Sequence, residues 1–420
     1  MGRHSGVEKN EQTDRPATYR EVFGVAEFRY LFVAYLLSLA GDQLAKVALS
    51  IVVFDRTGSA LLSATTFAVG YLPWLIGGPL LSVYADRLPR RQVMIGCDLV
   101  RMAIIGSLAI PGVPLGLLVG LLFVAGLFTP PFEAARAATT PEVLTGDRYA
   151  VGLALSNISS QLAQVGGFVA GGALVVAVSA PGALLIDAAT FAVSAVLLRF
   201  GVRSRPASAP GEEQRSLLAD AREGFAVVFG TPRVGRLIVM LFVVAALGYA
   251  PEGLAAPYAA ELDEGATAVG LLLAANPLGV IVGGIVIGRM VRPSRRQRLL
   301  VPLALLAVLA LVPAATVPWL SVTLVLFFLS GVGFSFVIPL NVLVVRAIPD
   351  AARARAFGVV ATGLQAVQGL GIVAAGLAAT VLAPSVVASL CGAVGTVVVL
   401  AIGLRDRSAR RHEAPAHAPN

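Results

Sequence analysis

Three ionisable side chains lie well inside long apolar runs of this sequence and are the first candidates for chemistry. Asp42 and Lys46 are four residues apart, which places them on one face of a helix, while Asp187 stands alone. A charge at the centre of a bilayer costs roughly 2.5–3.5 kcal/mol on insertion scales. The first two residues therefore form either a neutralised structural pair or a cavity site where Asp42 takes up and releases a proton. Asp187 is either capped by polar neighbours or a second protonatable site.

Two further pairs of opposite charge are spaced three residues apart. Asp98 and Arg101 lie within one apolar run, and Glu133 and Arg136 lie at the end of another. Side chains three apart are neighbours on a helix, so each pair can form an ion pair. The sequence favours a structural role for the first pair. The second pair fits either a structural role or a gate.

Five amide side chains complete the set of candidate residues. Asn157, Gln161 and Gln164 share one helical face, and Gln365 and Gln368 repeat the last two of them about 204 residues later. Amides of this kind either hydrogen bond to a substrate or bond to each other. The small residues that follow in residues 167–172, GFVAGG, favour close packing between helices.

The composition shows which kind of element must position these residues. Of 420 residues, 57% are hydrophobic and only 13% are charged, and the mean hydropathy is +0.83. A soluble protein carries about a quarter charged residues. The alternating segments of a membrane β-barrel are absent. The composition therefore predicts an all-α membrane protein in which the bilayer is the solvent.

The apolar runs predict twelve transmembrane helices in two groups of six. Runs of about 20 residues or more lie near 29–54, 61–85, 92–110, 115–135, 150–178, 181–200, 234–256, 266–288, 299–317, 320–343, 356–381 and 385–404. We divide the chain accordingly into a tail (1–27), an N-terminal half (28–200), a linker (201–232), a C-terminal half (233–404) and a second tail (405–420). In the linker, Leu217, Leu218, Ala221, Phe225 and Phe229 recur at helical spacing and predict an amphipathic helix on the membrane surface.

The distribution of arginine predicts the orientation of the chain. Arginines cluster in the alternate connections that are cytoplasmic if the N-terminus is cytoplasmic, whereas the opposite connections hold only Arg56. The longest of those opposite connections, near 251–265, is acidic and includes Glu252. We therefore predict that both termini are cytoplasmic. The preference for Arg over Lys suggests a bacterial protein, hence the bacterial inner membrane.

An internal repeat relates the two halves. ADRLPRRQVMI, which ends the second run, is echoed by GRMVRPSRRQRLL at an offset of 205 residues. The glutamine pairs repeat at 204 residues, and Pro141 with Glu142 is echoed by Pro349 with Asp350 at 208. Similar offsets indicate two homologous halves related by an axis along the membrane normal, with the binding site between them.

The turn from Ser82 to Arg91, SVYADRLPRR, is the most specific motif in the chain. It resembles the signature turn between helices two and three of the major facilitator superfamily. GDQLAKVALSIVVFDRTGSA (41–60), Asp98 with Arg101, and IDAATFAVSA (186–195) resemble the drug:proton antiporters of the macrolide-efflux and enterobactin-exporter type. The resemblance covers about residues 25–405 and implies the major facilitator fold, with twelve helices in two six-helix halves.

This resemblance also implies a cytoplasmic gate. Asp86 would pair with Arg353 or Arg355 at the start of helix eleven, where the helix dipole adds to the attraction. The contact would break when the protein opens inward. The basic residues of the turn either join this gate or only fix the topology; they are Arg87, Arg90 and Arg91.

The function we predict is secondary active export of a hydrophobic or amphiphilic small molecule by proton antiport, the substrate being a drug, a macrolide-like compound or a secondary metabolite. The proton gradient supplies the energy, and we expect no cofactor. The partners are the substrate, protons and the lipid bilayer, and one chain suffices for the fold. The alternatives within this fold are a siderophore exporter, an importer or a lipid transporter, and a non-transport sensor is less favoured.

Other function classes lack their residues. The three histidines lie in the tails, there is no H-E-x-x-H or P-loop motif, and Cys97 and Cys391 are isolated. We therefore expect neither an enzyme nor a metal site. The net charge of +8 is spread over short turns rather than collected on one face, which argues against nucleic-acid binding.

Overall fold

The computed structural model describes residues 17–74, 88–205 and 217–413, and every regular element in these ranges is a helix. In chain order the helices are α1 (Tyr19–Gly24), α2 (Ala26–Thr57), α3 (Ala60–Ala68), α4 (Arg90–Leu108), α5 (Leu115–Leu127), α6 (Thr129–Val143), α7 (Asp147–Gly201), α8 (Leu217–Gly230), α9 (Pro232–Gly248), α10 (Ala255–Glu261), α11 (Ala266–Ile285), α12 (Pro293–Arg296), α13 (Leu300–Leu309), α14 (Leu320–Phe334), α15 (Val337–Ala347), α16 (Asp350–Ala378) and α17 (Pro384–Glu413). Short 3₁₀ segments join several of them, including Ala250–Leu254 between α9 and α10.

Nine helical segments within the described ranges are long and apolar enough to cross a membrane. They are Ala26–Thr57, Leu115–Val143, Asp147–Gly201, Pro232–Glu261, Ala266–Met290, Gln297–Thr316, Leu320–Ala347, Arg355–Ala378 and Pro384–Arg405. Each overlaps one predicted span, except that Asp147–Gly201 covers two. The prediction of an all-α architecture built from membrane-length helices is confirmed.

The longest helix, α7, is two helices joined at a kink. Ser179 has φ 65° and ψ 167°, which breaks the helical backbone between residues 178 and 180. A positive φ is rare for a residue other than glycine. Pro181 follows, and its ring cannot continue the preceding helix. The two parts coincide with the predicted fifth and sixth spans.

Two predicted spans are not among these nine segments. The third corresponds to α4, a helix of 19 residues whose four charged residues lower its hydropathy: Arg90, Arg91, Asp98 and Arg101. The second begins with α3, but its continuation through residues 75–87 lies outside the described residues. The total of twelve spans therefore stays a prediction.

The turn between α2 and α3 shows how local chemistry ends one helix and starts the next. Gly58 adopts φ 61° and its amide donates to the Phe54 carbonyl at 2.7 Å. A left-handed residue of this kind is the usual helix terminator, and glycine adopts it without steric cost. Ser59 then accepts a hydrogen bond from the Leu62 amide at 3.3 Å, which caps α3.

The two halves are joined at one end. Of the five clusters of buried apolar side chains in the described ranges, four draw on one half, with part of α8 joining the C-terminal one. The remaining cluster contains residues of both halves. Val47, Phe67 and Phe168 come from the N-terminal half, and Leu254 and Leu272 come from the C-terminal half. We call this joined end the seam.

Small residues bring the helices of the seam into close contact. A Cβ at Gly172 of α7 would lie 2.6 Å from the Ala266 carbonyl oxygen and 3.0 Å from the Cα of Gly270 in α11. A Cβ at Gly270 would in turn lie 2.5 Å from the Phe168 carbonyl oxygen. Only glycine permits this approach of two backbones, which is how membrane helices pack tightly without a hydrophobic driving force.

The linker helix α8 lies where the sequence predicts a helix, and only part of its predicted apolar stripe packs against the bundle, since Phe229 contacts the C-terminal cluster. Val228 is fully buried, whereas Phe225 of the predicted apolar stripe is 56% exposed. A Cβ at Gly224 would lie 2.6 Å from the Arg355 carbonyl oxygen of α16. The helix is therefore held against the C-terminal half through Gly224 and Val228.

Candidate functional site

A network of buried polar side chains lies inside the N-terminal half. Asp98 and Arg101 of α4 are 0% and 1% exposed, and their side chains are 3.9 Å apart. Ser194 of α7 donates to Asp98 at 2.5 Å, and Ser38 of α2 donates to its other oxygen at 3.4 Å. Arg101 donates to the Ser38 hydroxyl at 2.9 Å. The Asp98 carboxylate is thus held by α2, α4 and α7 together, as a buried charge requires.

Asp42 of α2 also pairs with Arg101 of α4, so its direct partner is on another helix. Lys46, the neighbour that spacing alone predicts, makes no direct ion pair with Asp42 within the described part of the chain. Arg101 is further covered by the Phe191 ring, 4.2 Å from its guanidinium carbon. Asp42 keeps 26% of its side chain exposed. It is therefore the least buried carboxylate of this network.

Asp187 of α7 is 0% exposed and makes no ion pair among the described residues. Its carboxylate abuts Gly41, where a Cβ would collide with it. The Thr190 hydroxyl is 3.4 Å from one carboxylate oxygen, and the other oxygen is buried without a hydrogen-bond partner. Both of the alternatives predicted for Asp187 have a basis here, because one polar neighbour is present and one oxygen is unsatisfied. We call Ser38, Asp42, Asp98, Arg101, Asp187, Thr190 and Ser194 the N-half network.

A second polar group spans the seam. The Lys46 ammonium lies over the Tyr71 ring, 5.0 Å from its centroid. The Tyr71 hydroxyl lies 3.4 Å from a carboxylate oxygen of Glu252, which belongs to the C-terminal half. The charges of Asp42 and Glu252 both act on Lys46. We call Lys46, Tyr71 and Glu252 the seam triad.

The position of Glu252 corrects the sequence prediction. Sequence reasoning assigned it to an acidic outer loop, but it lies in the 3₁₀ segment Ala250–Leu254 and is only 4% exposed. One of its carboxylate oxygens is buried without a hydrogen-bond partner. A usable signal was present, because Glu252 falls inside the predicted span 234–256 and is followed by the apolar run GLAAPYAA. The error came from assigning all acidic residues near the span end to the loop.

Together the two groups hold more negative than positive charge. Four carboxylates, from Asp42, Asp98, Asp187 and Glu252, face one guanidinium and one ammonium. Asp98 and Asp42 share Arg101, whereas Asp187 and Glu252 each retain an unsatisfied buried oxygen. Because an uncompensated buried charge is costly, protons are the natural means to compensate the excess.

Glu133 and Arg136 of α6 form a separate pair. The arginine donates to the glutamate through two nitrogens, at 2.8 and 3.1 Å, and its guanidinium stacks on the Tyr35 ring at 3.8 Å. Both side chains remain partly exposed. This arrangement joins α6 to α2. A role in gating stays a prediction.

The basic turn is described only in part. Asp86 and Arg87 lie outside the described residues. Arg90 pairs with Glu142 and donates to the Ala138 carbonyl at 2.9 Å. Arg91 donates to the Val202 carbonyl at 3.2 Å. These two arginines therefore connect α4 to α6 and to the end of α7, within the N-terminal half.

The arginines predicted to face Asp86 have contacts of their own. Arg353 donates to the Val345 and Ile348 carbonyls, at 2.6–3.0 and 3.2 Å, which caps the end of α15. Arg355 pairs with Glu223 of α8. The pairing of either residue with Asp86 stays a prediction.

The amide side chains lie on two helices, α7 and α16. Asn157 is exposed, Gln161, Gln164 and Gln365 are half-buried, and Gln368 is 7% exposed. Gln368 lies next to Gly369, where a Cβ would approach Tyr71 of the seam triad at 3.4 Å. A role for these amides in binding a substrate stays a prediction.

No group of three or more potential metal ligands from His, Cys, Asp and Glu occurs among the described residues. Cys97 is buried and Cys391 is half-buried, and both are free.

The described chain contains membrane-length helices, with two polar groups buried among them and a seam between two halves. These features are those of a multi-pass membrane transporter. The chain belongs to the Major Facilitator Superfamily, whose family model matches residues 31–363 and again 253–420. The sequence-based assignment to this superfamily is confirmed.

Relatives in sequence are similar over part of their length. Over 119 residues the chain is 28% identical to macrolide efflux protein A of Streptococcus pyogenes, which covers 27% of this chain and 29% of that protein. Over 235 residues it is 24% identical to the uncharacterized MFS-type transporter YkuC of Bacillus subtilis, with 53% and 54% covered. The match thus spans about a third to a half of the length of these relatives.

Solved structures resemble this chain over nearly its whole length. The nucleoside transporter NupG superposes with a TM-score of 0.74 at 13% identity, covering 90% of this chain and 99% of that one. A peptide transporter POT bound to sulfate superposes with a TM-score of 0.70 at 15% identity, covering 96% and 98%. Identity this low establishes the shared fold alone.

Proposed function

We propose that this protein exports a hydrophobic or amphiphilic small molecule in exchange for protons, by alternating access of its two halves. The observation that carries the proposal is the excess of buried carboxylates over cations in the N-half network and the seam triad. Asp187 and Glu252, each with one unsatisfied buried oxygen, are the proton carriers we favour. Asp42 remains a candidate for relaying protons because it is partly exposed.

The geometry of the seam suggests how proton binding couples to movement. Glu252 belongs to one half, while Lys46 and Tyr71 belong to the other. A charged Glu252 holds the halves together through Lys46, and a protonated Glu252 loses that attraction. Proton binding at Glu252 therefore favours separation of the halves at the seam, which is a gate of the kind alternating access requires.

The predicted topology assigns a direction to the state described. With the N-terminus in the cytoplasm, the seam faces the outside, because α2 ends and α11 begins on that side. The halves are then closed to the outside. In this state the partly exposed amides of α7 would be reached from the cytoplasm, which suits uptake of an export substrate there.

The substrate class we propose rests on the apolar side chains around the seam triad and on similarity to macrolide efflux protein A. Tyr71 of the seam triad belongs to a large cluster of buried apolar side chains that both halves supply, which suits an apolar or amphiphilic substrate. Similarity to macrolide efflux protein A points to a large amphiphilic compound. Export of such a compound needs no cofactor, since the proton gradient supplies the energy.

The proposal is tested with purified protein in liposomes carrying a proton gradient. Movement of a macrolide and of a hydrophobic dye would be followed with and without an uncoupler. We expect gradient-driven transport that the uncoupler abolishes, and its loss in Asp187→Asn and Glu252→Gln. Asp263→Asn is the matched control, because Asp263 is exposed and tolerates the same change at its positive φ of 57°.

Two results would overturn this proposal in different ways. Gradient-driven transport that persists in both variants would remove Asp187 and Glu252 from the coupling step. Transport of the same compounds that is unaffected by the uncoupler would show facilitated diffusion rather than antiport. Folding of each variant is checked first by size-exclusion chromatography.

A further inference from the structure

A cavity of about 340 Å³ lies between the linker helix, the start of α9 and the end of α17. It is lined by Phe229, Pro232, Gly235, Arg236, Val239, Ile402 and Arg405. These residues come from three helices, α8, α9 and α17. The cavity lies at the end of the bundle opposite the seam, where α9 begins, and it is remote from the N-half network.

Arg236 is the unusual residue of this cavity. Its side chain is half-buried, and its Nε is fully buried without a hydrogen-bond partner. Within the described residues it has no acidic partner, unlike Arg90, Arg101, Arg136, Arg205 and Arg355, which each contact a carboxylate. A guanidinium that is partly removed from water normally has its charge and its N–H groups compensated.

The surroundings of Arg236 indicate what would compensate it. Arg405 contributes a second guanidinium to the same cavity. Pro232 begins α9, whose N-terminal turn adds the positive end of a helix dipole. Phe229, Val239 and Ile402 make the remaining wall apolar. The cavity thus combines positive charge with an apolar wall at one end of membrane-length helices.

We propose that this cavity binds the phosphate headgroup of an anionic phospholipid, with the guanidinium of Arg236 as its main anchor. Arginine recognises phosphate through paired N–H groups, and basic pockets between transmembrane helices suit anionic headgroups. The apolar wall accommodates the first part of the acyl chains. The bound lipid links the linker helix α8 to α9 and α17. This site is independent of the transport mechanism proposed above.

A second basic cavity provides the control. It has a volume of about 570 Å³ and is lined by Met290, Val291, Arg292, Arg295, Arg298 and Leu299. All of these residues belong to one short stretch, and its three arginines are exposed to solvent. Hydrated arginines on one turn attract anions only weakly and without selectivity. Removing one of them changes the net charge as Arg236→Gln does.

The test measures lipid binding to the full chain by native mass spectrometry in detergent. Phosphatidylglycerol and phosphatidylcholine would be titrated against the unmodified protein, Arg236→Gln and Arg295→Gln. We expect phosphatidylglycerol to bind more tightly than phosphatidylcholine, and Arg236→Gln to weaken phosphatidylglycerol binding about fivefold. Arg295→Gln should leave it unchanged. Inorganic phosphate is added as a competitor to separate a lipid site from a site for the free anion.

Each other outcome would overturn the assignment. Equal weakening by Arg236→Gln and Arg295→Gln would show a diffuse surface attraction instead of a site. Displacement of the lipid by millimolar phosphate would identify a free-anion site. Unaltered binding in Arg236→Gln would remove Arg236 as the anchor. Arg236→Lys keeps the positive charge but loses the paired N–H donors to phosphate. It should bind phosphatidylglycerol with intermediate strength, which would show that the loss in Arg236→Gln does not come from misfolding.

Discussion

The two halves of this transporter share one helical plan but differ in what they bury. Within the described residues, the N-terminal half buries Asp98, Arg101 and Asp187, whereas Glu252 is the one charged side chain buried in the C-terminal half. At the offset of 205 residues, the counterparts of the first three are Leu303, Leu306 and Gly392. A repeated fold has therefore kept its helices while only one copy holds the charge network.

The difference in buried charge indicates that the N-terminal half holds most of the side chains that could bind protons. Leu303 packs with the C-terminal cluster of apolar side chains, and Gly392 lies against Val308 and Leu311 with no room for a side chain. The C-terminal half thus provides an apolar framework that carries one acid, Glu252, to the seam. In our proposal, movement of the halves is coupled to proton binding through this acid, which faces Lys46 of the other half.

The largest expected effect is that of Arg101→Met. The change leaves Asp98 and Asp42 without their shared cation, and breaking a buried ion pair from one side costs about 3–5 kcal/mol. Leu306→Met places the same residue at the corresponding position of the other half and should cost less than about 1.5 kcal/mol. Thermal unfolding in detergent measures both variants.

A double variant makes this comparison sharper. Asp98→Asn combined with Arg101→Met removes one of the unpaired charges, so it should recover part of the stability lost in Arg101→Met alone. Equal stability of Arg101→Met and Leu306→Met would mean that the two halves do not differ as proposed.

The seam itself is tested by Gly172→Val. The added side chain meets the Ala266 carbonyl and Gly270, and overpacking of this kind typically costs about 1–3 kcal/mol. The closed end should therefore open more often. Labelling of an Ala64→Cys variant, with Cys97 and Cys391 replaced by serine, measures this, because Ala64 is fully buried in the seam.

Gly166 offers the matched control on the same helix. A Cβ there meets nothing within 4 Å, so Gly166→Val should leave the labelling of residue 64 unchanged. The idea of a glycine-dependent seam would fail if both variants raised the labelling rate equally.

The sequence alone predicts the fold better than the site, for a physical reason. Apolar runs of membrane length depend only on the bilayer, so ten of the predicted spans and the break near Ser179 follow from them. The family follows from the motif in residues 82–91. The partner of Asp42 could not be predicted, because Arg101 reaches it from another helix and spacing within α2 favours Lys46. Glu252 was missed because the acidic residues that follow it led to its assignment to the loop, although it falls inside the predicted span 234–256.

A smaller effect is expected from Ser194→Ala. The Ser194 hydroxyl donates to the buried Asp98 carboxylate, and such a bond within a membrane bundle contributes about 1–2 kcal/mol. Its counterpart at the same offset is Val399, which is fully buried among apolar residues. Val399→Thr introduces a hydroxyl there at nearly constant volume, but no buried carboxylate lies at that position to accept its hydrogen bond. Thermal unfolding should show a loss in both variants, but Asp98→Asn should reduce only the loss caused by Ser194→Ala.

The smallest effect concerns the pair between Arg355 of α16 and Glu223 of α8. Their side chains are 24% and 48% exposed, and ion pairs at that exposure contribute about 0–1 kcal/mol because water and salt screen them. Glu223→Gln should therefore change the unfolding temperature little, and less still at high salt. Glu27→Gln, which removes a more buried partner of Arg205 in the N-terminal half, should cost more. If the two variants lost equal stability, the Glu27–Arg205 pair would contribute no more than the Glu223–Arg355 pair. The contrast between the halves would then be confined to the network around Arg101.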